Sequence, residues 1–452
     1  MKMTGTDIER QSAGYLADLK EIIDQVLADA RRHDATEAEV DIGTGAGLSV
    51  TVRMGEVDKL EHERDKALGV TVYMNGRKGS ASTSDFSPAA LRDTVCAACD
   101  IARHASRDEF AGLADPGLMA QSVPDLDLYH PWPVTPEQAI ELAVECETMA
   151  RDFDDRINNS DGAVVGTYSG THAYGNTHGF SGGWEWSSHT IDCTMIAGDT
   201  RGMQRDGWYS RARDRKDLQD IRTIAQEAAK RTVSRLGARK LTTRSVPVIF
   251  EAPVASGLFS AFITAISGSS LYRRASFLLD KLGKPVFSDH IRIHEQPHLK
   301  KALGSAPFDD DGVATRARDI VRNGVLESYI LSSYSARKLG MQTTGNAGGI
   351  HNLVVDHGEL DLAGLIRKMD TGLLITDMIG FGVNQVTGDY SRGASGFWVE
   401  GGEICYPVEE ITVAGNLVDM YQQIIETGND VDDRGNVLTG SVLLANMIVA
   451  GD

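Results

Sequence analysis

Cysteine is scarce in this sequence, and its distribution excludes a fold built on disulfides. Only five cysteines occur in 452 residues, and they are widely spaced. An odd count in a chain of this size indicates no disulfide framework and agrees with a reducing compartment. Residues 1–20 also lack the apolar core of a secretion signal, so we expect a cytoplasmic protein.

Long hydrophobic runs and an excess of positive charge are missing as well. No apolar segment approaches the roughly 20 residues that a membrane-spanning helix needs. The 45 Lys and Arg residues are outnumbered by 64 Asp and Glu residues, which gives a formal net charge of -19. Unaided nucleic-acid binding requires a basic footprint. We therefore expect neither a membrane nor a nucleic acid as a partner.

The sequence is rich in strand patterns interrupted by amphipathic helices. Its length predicts two or three domains. Residues 1–110 predict an N-terminal domain of helices and antiparallel sheet, and residues 134–238 a central helix and strand segment that packs with it. Residues 245–452 predict a strand-rich C-terminal domain with inserted helices. Because strands and helices do not alternate as βαβ units, the predicted fold class is α+β.

Local signals predict several individual elements. Asn75-Gly76 between two apolar runs predicts a hairpin, because both residues tolerate positive φ. Thr135-Pro136-Glu137-Gln138 is a capping box that begins a helix. Ser160-Asp161-Gly162 predicts a turn, and residues 286–293 predict a strand. Residues 253–267 predict a buried, apolar helix.

Glycine is densest in residues 380–402, where it alternates with polar and aromatic residues. A polar, glycine-rich loop that enters a pair of strands is typical of a surface that a scaffold presents to a ligand. The alternative is a long linking loop. We predict a surface whose backbone amides pair with an extended peptide. The substrate-cleft candidates are Gly388, Asp389, Tyr390, Ser391, Arg392 and Gly393.

One segment matches a zinc-peptidase motif letter for letter. His294-Glu295-Gln296-Pro297-His298 has the H-E-x-x-H pattern, in which a helix holds two histidines on zinc and a glutamate as general base. Pro297 conflicts with a helix interior, and the preceding residues alternate as in a strand. Polar strand-end residues are the favoured interpretation. A self-sufficient metallopeptidase that uses His294, Glu295 and His298 as its metal site is the alternative.

Two further groups have structural alternatives. Cys96 and Cys99 form a single C-x-x-C in a predicted helix, where small buried residues are favoured over a redox or zinc site. His172, His178 and His189 lie among tryptophans and acids, but strand alternation divides such residues between two faces. A polar sheet face is therefore favoured over a metal site.

Four long motifs occur in the second half of the chain. Residues 333–340 read SYSARKLG, 346–352 NAGGIHN, 388–400 GDYSRGASGFWVE and 406–417 YPVEEITVAGNL. In these motifs the sequence resembles the PmbA/TldE family, and the match extends over most of residues 246–450. Older descriptions of that family mention modulation of DNA gyrase, which the acidic composition does not support.

The resemblance implies a cytoplasmic bacterial subunit that pairs with a TldD-type subunit in a zinc metallopeptidase. The family is associated with trimming peptide precursors and degrading unfolded antitoxin. The TldD partner carries an H-E-x-x-x-H helix, and residues 253–266 resemble its counterpart without His, Glu, Asp or Cys. The resemblance therefore implies no catalytic residue and no cofactor in this chain, zinc in the partner, and unfolded or extended peptide as substrate.

Two other expectations remain open at this point. An isolated subunit is expected to form a symmetric homodimer through its unpartnered surface. A non-enzymatic chaperone or adaptor for unfolded chains is a further alternative to the peptidase, because peptide binding alone would account for a cleft.

Overall fold

The computed structural model describes residues 5–200 and 202–451, with side chains from residue 15 onward. Residues 1–4 of the segment searched for a secretion signal lie outside this range. The helices are α1 (Gly5–Arg32), α2 (Pro88–His104), α3 (Pro136–Arg151), α4 (Ile221–Ser234), α5 (Ala252–Ala265), α6 (Gly268–Tyr272), α7 (Ser333–Lys338), α8 (Leu362–Met369) and α9 (Leu417–Gln422). Among the described residues, no helix is both long and apolar enough to cross a membrane.

The strands fall into an N-terminal and a C-terminal group. The first group is β1 (Glu37–Arg53), β2 (Glu56–Met74), β3 (Arg77–Thr83), β4 (Ile157–Asn176), β5 (Ser181–Asp199) and β6 (Gly202–Ala212). The second group is β7 (Arg244–Phe250), β8 (Ile293–Glu295), β9 (Arg318–Arg322), β10 (Val325–Leu326), β11 (Leu353–Val355), β12 (Gly372–Ile379), β13 (Asp389–Glu400), β14 (Glu403–Asn416), β15 (Ile424–Thr427), β16 (Val437–Leu438) and β17 (Val442–Ala450).

The N-terminal strands form one antiparallel sheet in the order β3-β2-β1-β4-β5-β6. The predicted hairpin joins β2 to β3, with Asn75 and Gly76 at φ 53° and 78°. The central pair β1 and β4 comes from segments far apart in the chain, and their register places Asp41 beside Tyr174 and Gly47 beside Tyr168. Residues 37–83 and 157–212 thus share one sheet; the proposed division into 1–110 and 134–238 stays a prediction.

Helices cover only one face of this sheet. Alternate apolar residues of β1, such as Val40, Ile42 and Val50, are fully buried on that face. Helices α1 and α2 pack on one half of the face, and α3 and α4 pack on the other half. Burying each such aliphatic side chain stabilises the fold by about 1.5–3 kcal/mol. No described helix packs on the opposite face of this sheet.

The C-terminal strands form a ring and a smaller sheet. Strands β14, β13, β12, β7 and β17 are joined in order, β14 pairs with β17 to close the ring, and β15 extends β17. The smaller sheet has the order β10-β9-β8-β11-β16. Helix α5 packs in the core between them through Leu258, Phe259 and Phe262. The predicted α+β class is confirmed.

Two local predictions are wrong. Residues 160–162 do not turn the chain but form a bulge within β4, where Ser160 Oγ accepts a hydrogen bond from Gly162 N at 2.8 Å and Gly162 has φ 115°. Residues 286–292 are irregular, and only Ile293 begins a strand. Val286, Phe287 and Ile291 are apolar because they fill the C-terminal core from a loop.

Buried ion pairs join the two halves of the molecule. Arg231 on α4 makes two hydrogen bonds to the Glu251 carboxylate, at 2.8 and 3.1 Å, just before α5 begins. Arg235, one turn later, lies 3.1 Å from Asp206 and 3.3 Å from Asp377. These contacts fix the N-terminal sheet relative to the C-terminal ring, and with it the cleft between them.

Candidate functional site

The glycine-rich loop folds back on the strand that follows it. Residues 380–388 connect β12 to β13, and Ser391 N donates to Gly382 O at 2.7 Å. Asn384 N likewise donates to Asp389 O at 2.8 Å. A Cβ atom on Gly382 would lie 1.7 Å from Ser391 O, so only glycine permits this approach.

Gly388, Asp389 and Tyr390, the first three substrate-cleft candidates, have structural roles in the loop. Gly388 has φ 81° and donates to Asn384 O at 2.8 Å. The Asp389 carboxylate accepts hydrogen bonds from the Thr387 hydroxyl at 2.6 Å and from the Asn416 amide at 3.2 Å, which lowers its pKa. Tyr390 is buried, and burial raises its pKa to about 12.

The other three candidates lie in a strand that is paired along both edges. Gly393 pairs with Ile379 of β12 and with Thr412 of β14, and Ser391 is paired as described above. Arg392 is half-buried and donates through Nε to Gly380 O at 3.1 Å. A peptide cannot add as a strand along β13, because no backbone edge is free there. The substrate-cleft role of these six residues stays a prediction. Any contact they make with a peptide would have to use their side chains.

Helix α5 presents small residues to the solvent. Gly257, Ser260 and Thr264 recur at helical spacing on its exposed side. Ser260 Oγ donates to Ser256 O at 2.9 Å, and Thr264 Oγ1 donates to Ser260 O at 2.9 Å. These hydroxyls are thus committed to the helix backbone.

Glu295 of the H-E-x-x-H segment is a buried structural carboxylate. It is 2% exposed and accepts hydrogen bonds from Arg318 Nε at 3.0 Å, Asn346 Nδ2 at 2.8 Å and the backbone N of His351 at 2.9 Å. Burial opposes its ionisation, but the His351 hydrogen bond and the Arg318 charge outweigh that effect and lower its pKa. Glu295 therefore anchors the loop of residues 346–351.

The two histidines of that segment have separate partners. His294 lies on β8 with Nε2 2.9 Å from Asp356 Oδ1, and His298 Nε2 lies 2.9 Å from Thr315 Oγ1. Among the side chains described for residues 15–200 and 202–451, no three from His, Cys, Asp or Glu are arranged to hold a metal ion. The side chains described in this chain do not fit a zinc site.

The cysteine and histidine groups are also separated. Cys96 lies on α2 with Sγ 3.3 Å from His33 Nε2, whereas burial raises the pKa of Cys99. His189 lies on the helix-covered face of the sheet and is fully buried, which lowers its pKa. His172 lies on the opposite face. His172 and His189 are thus divided between the two faces as predicted, whereas His178 lies in the turn after β4.

The uncovered face of the N-terminal sheet carries aromatic rings that lie flat on glycines. A Cβ atom on Gly45 would lie 2.3 Å from Tyr168 Oη, and one on Gly47 would lie 2.4 Å from the Tyr168 ring. The ring therefore needs both glycines in β1. It stacks on Trp186 with centroids 5.5 Å apart and donates through its hydroxyl to Asp65 at 3.0 Å.

A second aromatic pair continues this row. The His172 ring lies 4.7 Å from the Trp184 ring, and His172 Nε2 lies 2.5 Å from Asp41 Oδ2. His172 Nδ1 is buried and has no hydrogen-bond partner among the described residues.

Loops of the C-terminal half form the opposite wall, so that the aromatic face becomes the floor of a groove. One part of the groove, about 460 Å³, lies between Trp184 and Trp186 on the floor and residues 303–310 and 347–351 on the wall. A second part, about 610 Å³, continues past Tyr168 along the sheet. The two parts share Trp186, Ser188 and Arg211. The groove is long, open and partly aromatic, which suits an extended chain.

The sequence-based prediction missed this groove, although a signal was present. Gly43, Gly45 and Gly47 occupy alternate positions of β1. On β4, a Cβ atom added to Gly170 would lie 3.3 Å from the Trp186 ring. Alternate glycines in a strand indicate close approach of another group. The pairing of β1 with β4 that brings them together spans more than 100 residues and is not visible in the sequence.

The comparisons with known proteins agree on one family. Models of the PmbA/TldA metallopeptidase domains match residues 38–102 for domain 1, 129–236 for the central domain and 243–451 for the C-terminal domain. The metalloprotease PmbA of Escherichia coli O157:H7 is 49% identical over 414 residues, which cover 92% of this chain and 92% of that protein.

Solved structures share the whole fold. A protein of Bacteroides thetaiotaomicron VPI-5482, named as a proposed modulator of DNA gyrase, has a TM-score of 0.91 at 29% identity over 96% of this chain and 99% of its own. TldE from Thermococcus kodakarensis has a TM-score of 0.81 at 21% identity over 95% and 100%, which shows the fold alone. The resemblance to the PmbA/TldE family is thereby confirmed. The chain belongs to the PmbA/TldA metallopeptidase family.

Proposed function

We propose that this chain is a TldE-type subunit of a TldD/TldE zinc metallopeptidase and that it holds unfolded peptides for cleavage. The observation that carries the proposal is the groove over the N-terminal sheet. Its floor of Tyr168, Trp184 and Trp186 offers apolar area without selecting one sequence, and its length suits an extended chain rather than a small ligand. Its proposed roles are peptide-precursor maturation and the degradation of unfolded antitoxin.

The zinc and the general base are proposed to come from a TldD-type partner. Two features of the described residues support this division of labour. His294, Glu295 and His298 are each bonded to other side chains, and α5 exposes only Gly257, Ser260 and Thr264 where metal ligands would have to stand. This chain would then bind and orient the peptide while the partner performs hydrolysis.

The glycine-rich loop is proposed to contact that partner or, in the isolated chain, a second copy. Ile379, Phe381 and Val386 project from it, and Phe381 is fully exposed. An apolar cluster of this kind on a soluble surface marks an interaction site. We further propose that Gly388, Asp389, Tyr390, Ser391, Arg392 and Gly393 border the substrate path at this contact.

A cytoplasmic location completes the proposal. Cys96, Cys99, Cys146, Cys193 and Cys405 are all free thiols in the structure. Free thiols persist where the compartment is reducing.

Reconstitution tests the proposal. The chain is mixed with a TldD-type subunit and an unfolded peptide, and cleavage is followed by mass spectrometry with each component omitted in turn. We expect cleavage only in the complete mixture, and a KM about tenfold higher with Trp186→Ala because the peptide loses an aromatic contact. Phe153→Ala, an exposed aromatic outside the groove, is the matched control and should leave the KM unchanged.

Two outcomes would contradict the proposal. Cleavage by this chain alone, lost with His294→Ala, would establish the self-sufficient peptidase. Peptide binding without cleavage in the complete mixture would establish the chaperone or adaptor.

A further inference from the structure

Arg213 is a buried cation that forms no ion pair within the part of the chain that the structure describes. It follows β6 directly, is 9% exposed and lines the groove beside Trp186. Its Nη1 donates to Ser187 O at 3.2 Å and its Nη2 donates to Leu303 O at 2.7 Å, whereas Nε has no partner among the described residues. Burial, with the neighbouring charge of Arg211, lowers its pKa to about 10.

Three other buried or half-buried arginines of the described chain are paired with acids, whereas Arg337 donates to backbone carbonyls only. Arg434 is 7% exposed and has Asp432 at 2.8 Å, and Arg318 is bonded to Glu295 at 3.0 Å. Arg231 holds Glu251. Removing a guanidinium from water costs free energy that carbonyl groups offset only in part, so a missing anion is the expected complement of Arg213.

Two acidic groups near Arg213 are already used, and a third, Asp310, lines the same part of the groove but forms no ion pair with Arg213. Asp214 is its neighbour in sequence, but its carboxylate is 2.9 Å from Lys301 Nζ and 3.5 Å from His130 Nδ1. Asp41, at the other end of this part of the groove, is held by His172. Among the described residues, Arg213 thus forms no ion pair.

Arg211 adds a second unpaired cation on the same part of the groove. It is exposed, its Nε donates to Ser188 Oγ at 3.0 Å, and it forms no ion pair within the described residues. Arg211 and Arg213 line this part of the groove together with Trp186 and Ser188. Guanidinium groups bind carboxylates through charge-assisted hydrogen bonds.

We propose that Arg213 and Arg211 form a carboxylate-binding subsite of the groove, which takes either the C-terminal carboxylate of a peptide or a Glu or Asp side chain within it. The inference rests on the proposed function in taking the ligand to be a peptide. The subsite lies where the two parts of the groove meet, so a peptide held there can extend over the Trp184 ring in one part or past Tyr168 in the other.

Binding to the full chain alone tests this inference without any cleavage. The probe is an unstructured, alanine- and serine-rich octapeptide with one leucine, labelled at its N-terminus for fluorescence polarisation. It is prepared in three forms: with a free C-terminal carboxylate, with a C-terminal amide, and as the amide with one internal Glu. We expect at least one carboxylate-bearing form to bind about tenfold or more tightly than the plain amide.

Variants test whether the two arginines cause the tighter binding of peptides that carry a carboxylate. Arg213→Met should abolish it, Arg213→Lys should restore part of it, and Arg211→Gln should weaken it. Arg215→Met, two residues along the chain and outside the groove, removes the same charge and should keep the preference. Circular dichroism and thermal unfolding establish that each variant is folded; should Arg213→Met not fold, Arg213→Lys and Arg211→Gln decide the test.

The two peptides with carboxylates distinguish the sources. Preference for the free terminus identifies a C-terminal site, and preference for the internal Glu identifies a side-chain site. Equal binding of all three forms, or no binding of any, would show that Arg213 is only a clamp between Ser187 and Leu303 and would overturn the inference. The binding assay does not require the TldD-type partner. The carboxylate subsite can therefore be refuted while the complete mixture still cleaves peptides, and it can be confirmed while the complete mixture does not.

Discussion

At the scale of single residues, glycine determines the shape of the groove floor. The Tyr168 ring occupies the space that side chains on Gly45 and Gly47 would need, and Trp186 stacks on that ring. Larger residues at these two positions would permit the same backbone hydrogen bonds between the strands but would leave no room for the Tyr168 and Trp186 rings. The proposed peptide surface therefore depends on having no side chain at Gly45 and at Gly47.

Gly45→Ala tests this dependence. Its methyl group would lie 2.3 Å from Tyr168 Oη, so we expect the ring to swing away, the Tyr168–Trp186 stack to be lost and peptide affinity to fall about tenfold. Near-ultraviolet circular dichroism reports the stack and fluorescence polarisation reports the affinity. Gly69→Ala, on β2 with nothing within 4 Å of the new methyl group, is the control. Unchanged affinity in Gly45→Ala would contradict the role of Tyr168.

Glu295 provides the second prediction at this scale. Glu295→Gln removes a buried charge that holds Arg318 and His351, and it should lower the free energy of unfolding by about 3 kcal/mol. Urea titrations measure the loss. Glu145→Gln, at an exposed position of α3, should change stability by less than about 0.5 kcal/mol.

The pH dependence of the same residue has a definite sign. The pKa of Glu295 is lower in the folded chain than in the unfolded chain, so its stabilising effect is present above the unfolded pKa of about 4.3 and is lost as the pH falls through the folded pKa. Stability should therefore decline less steeply below about pH 4 in Glu295→Gln than in the parent chain. Parallel declines would show that folding does not shift the pKa of Glu295.

At the scale of elements, the β12–β13 connection differs from its first interpretation. The glycines permit the loop to fold onto β13, and both backbone edges of that strand are occupied. The available surface is apolar, at Ile379, Phe381 and Val386. Such a loop suits contact with a protein more than strand pairing with a substrate.

Phe381→Ser is expected to weaken assembly without affecting the fold. The side chain is fully exposed in the chain, so the melting temperature should not change, whereas the Kd for a TldD-type subunit should rise about tenfold. Analytical ultracentrifugation measures both this association and any homodimer. Phe153→Ser alters an exposed aromatic elsewhere and should change neither. An unaltered Kd would remove the loop from the interface.

The elements also show what could be predicted from sequence and what could not. Signals that act within a few residues were sufficient, as with the capping box of Thr135 and Gln138 and the hairpin at Asn75 and Gly76. The turn predicted at residues 160–162 failed because the same Ser-Asp-Gly chemistry also forms a bulge within a long strand. The groove was missed because its floor and wall come from segments far apart in the chain, and only tertiary pairing brings Gly45 beneath Tyr168.

At the scale of the whole molecule, the groove exists because the two halves are fixed against each other. The Arg231–Glu251 pair joins α4 to the start of α5, and Arg235 joins the same helix to Asp377 and Ser395 of the C-terminal ring. Both partners of the first pair are largely buried, so neither can be removed alone without leaving an uncompensated charge.

A double-mutant comparison measures this junction. Arg231→Met should destabilise the protein by about 3–5 kcal/mol because Glu251 is left without its partner, and the double change Arg231→Met with Glu251→Met should recover part of that loss. Urea unfolding gives the three free energies. A double variant no more stable than Arg231→Met would mean that the pair contributes little and that packing alone joins the halves.

The path of the peptide is the central claim, and a photo-crosslink tests it most directly. The chain carries p-benzoylphenylalanine in place of Ser188 on the groove floor, in place of Phe381 on the loop, or in place of Phe153 as a control. Each form is combined with a TldD-type subunit and an unfolded peptide and then irradiated, and the adducts are identified by mass spectrometry. The account predicts a peptide adduct at position 188 and none at 153. Peptide adducts at 381 with none at 188 would contradict it and return the substrate path to the glycine-rich loop.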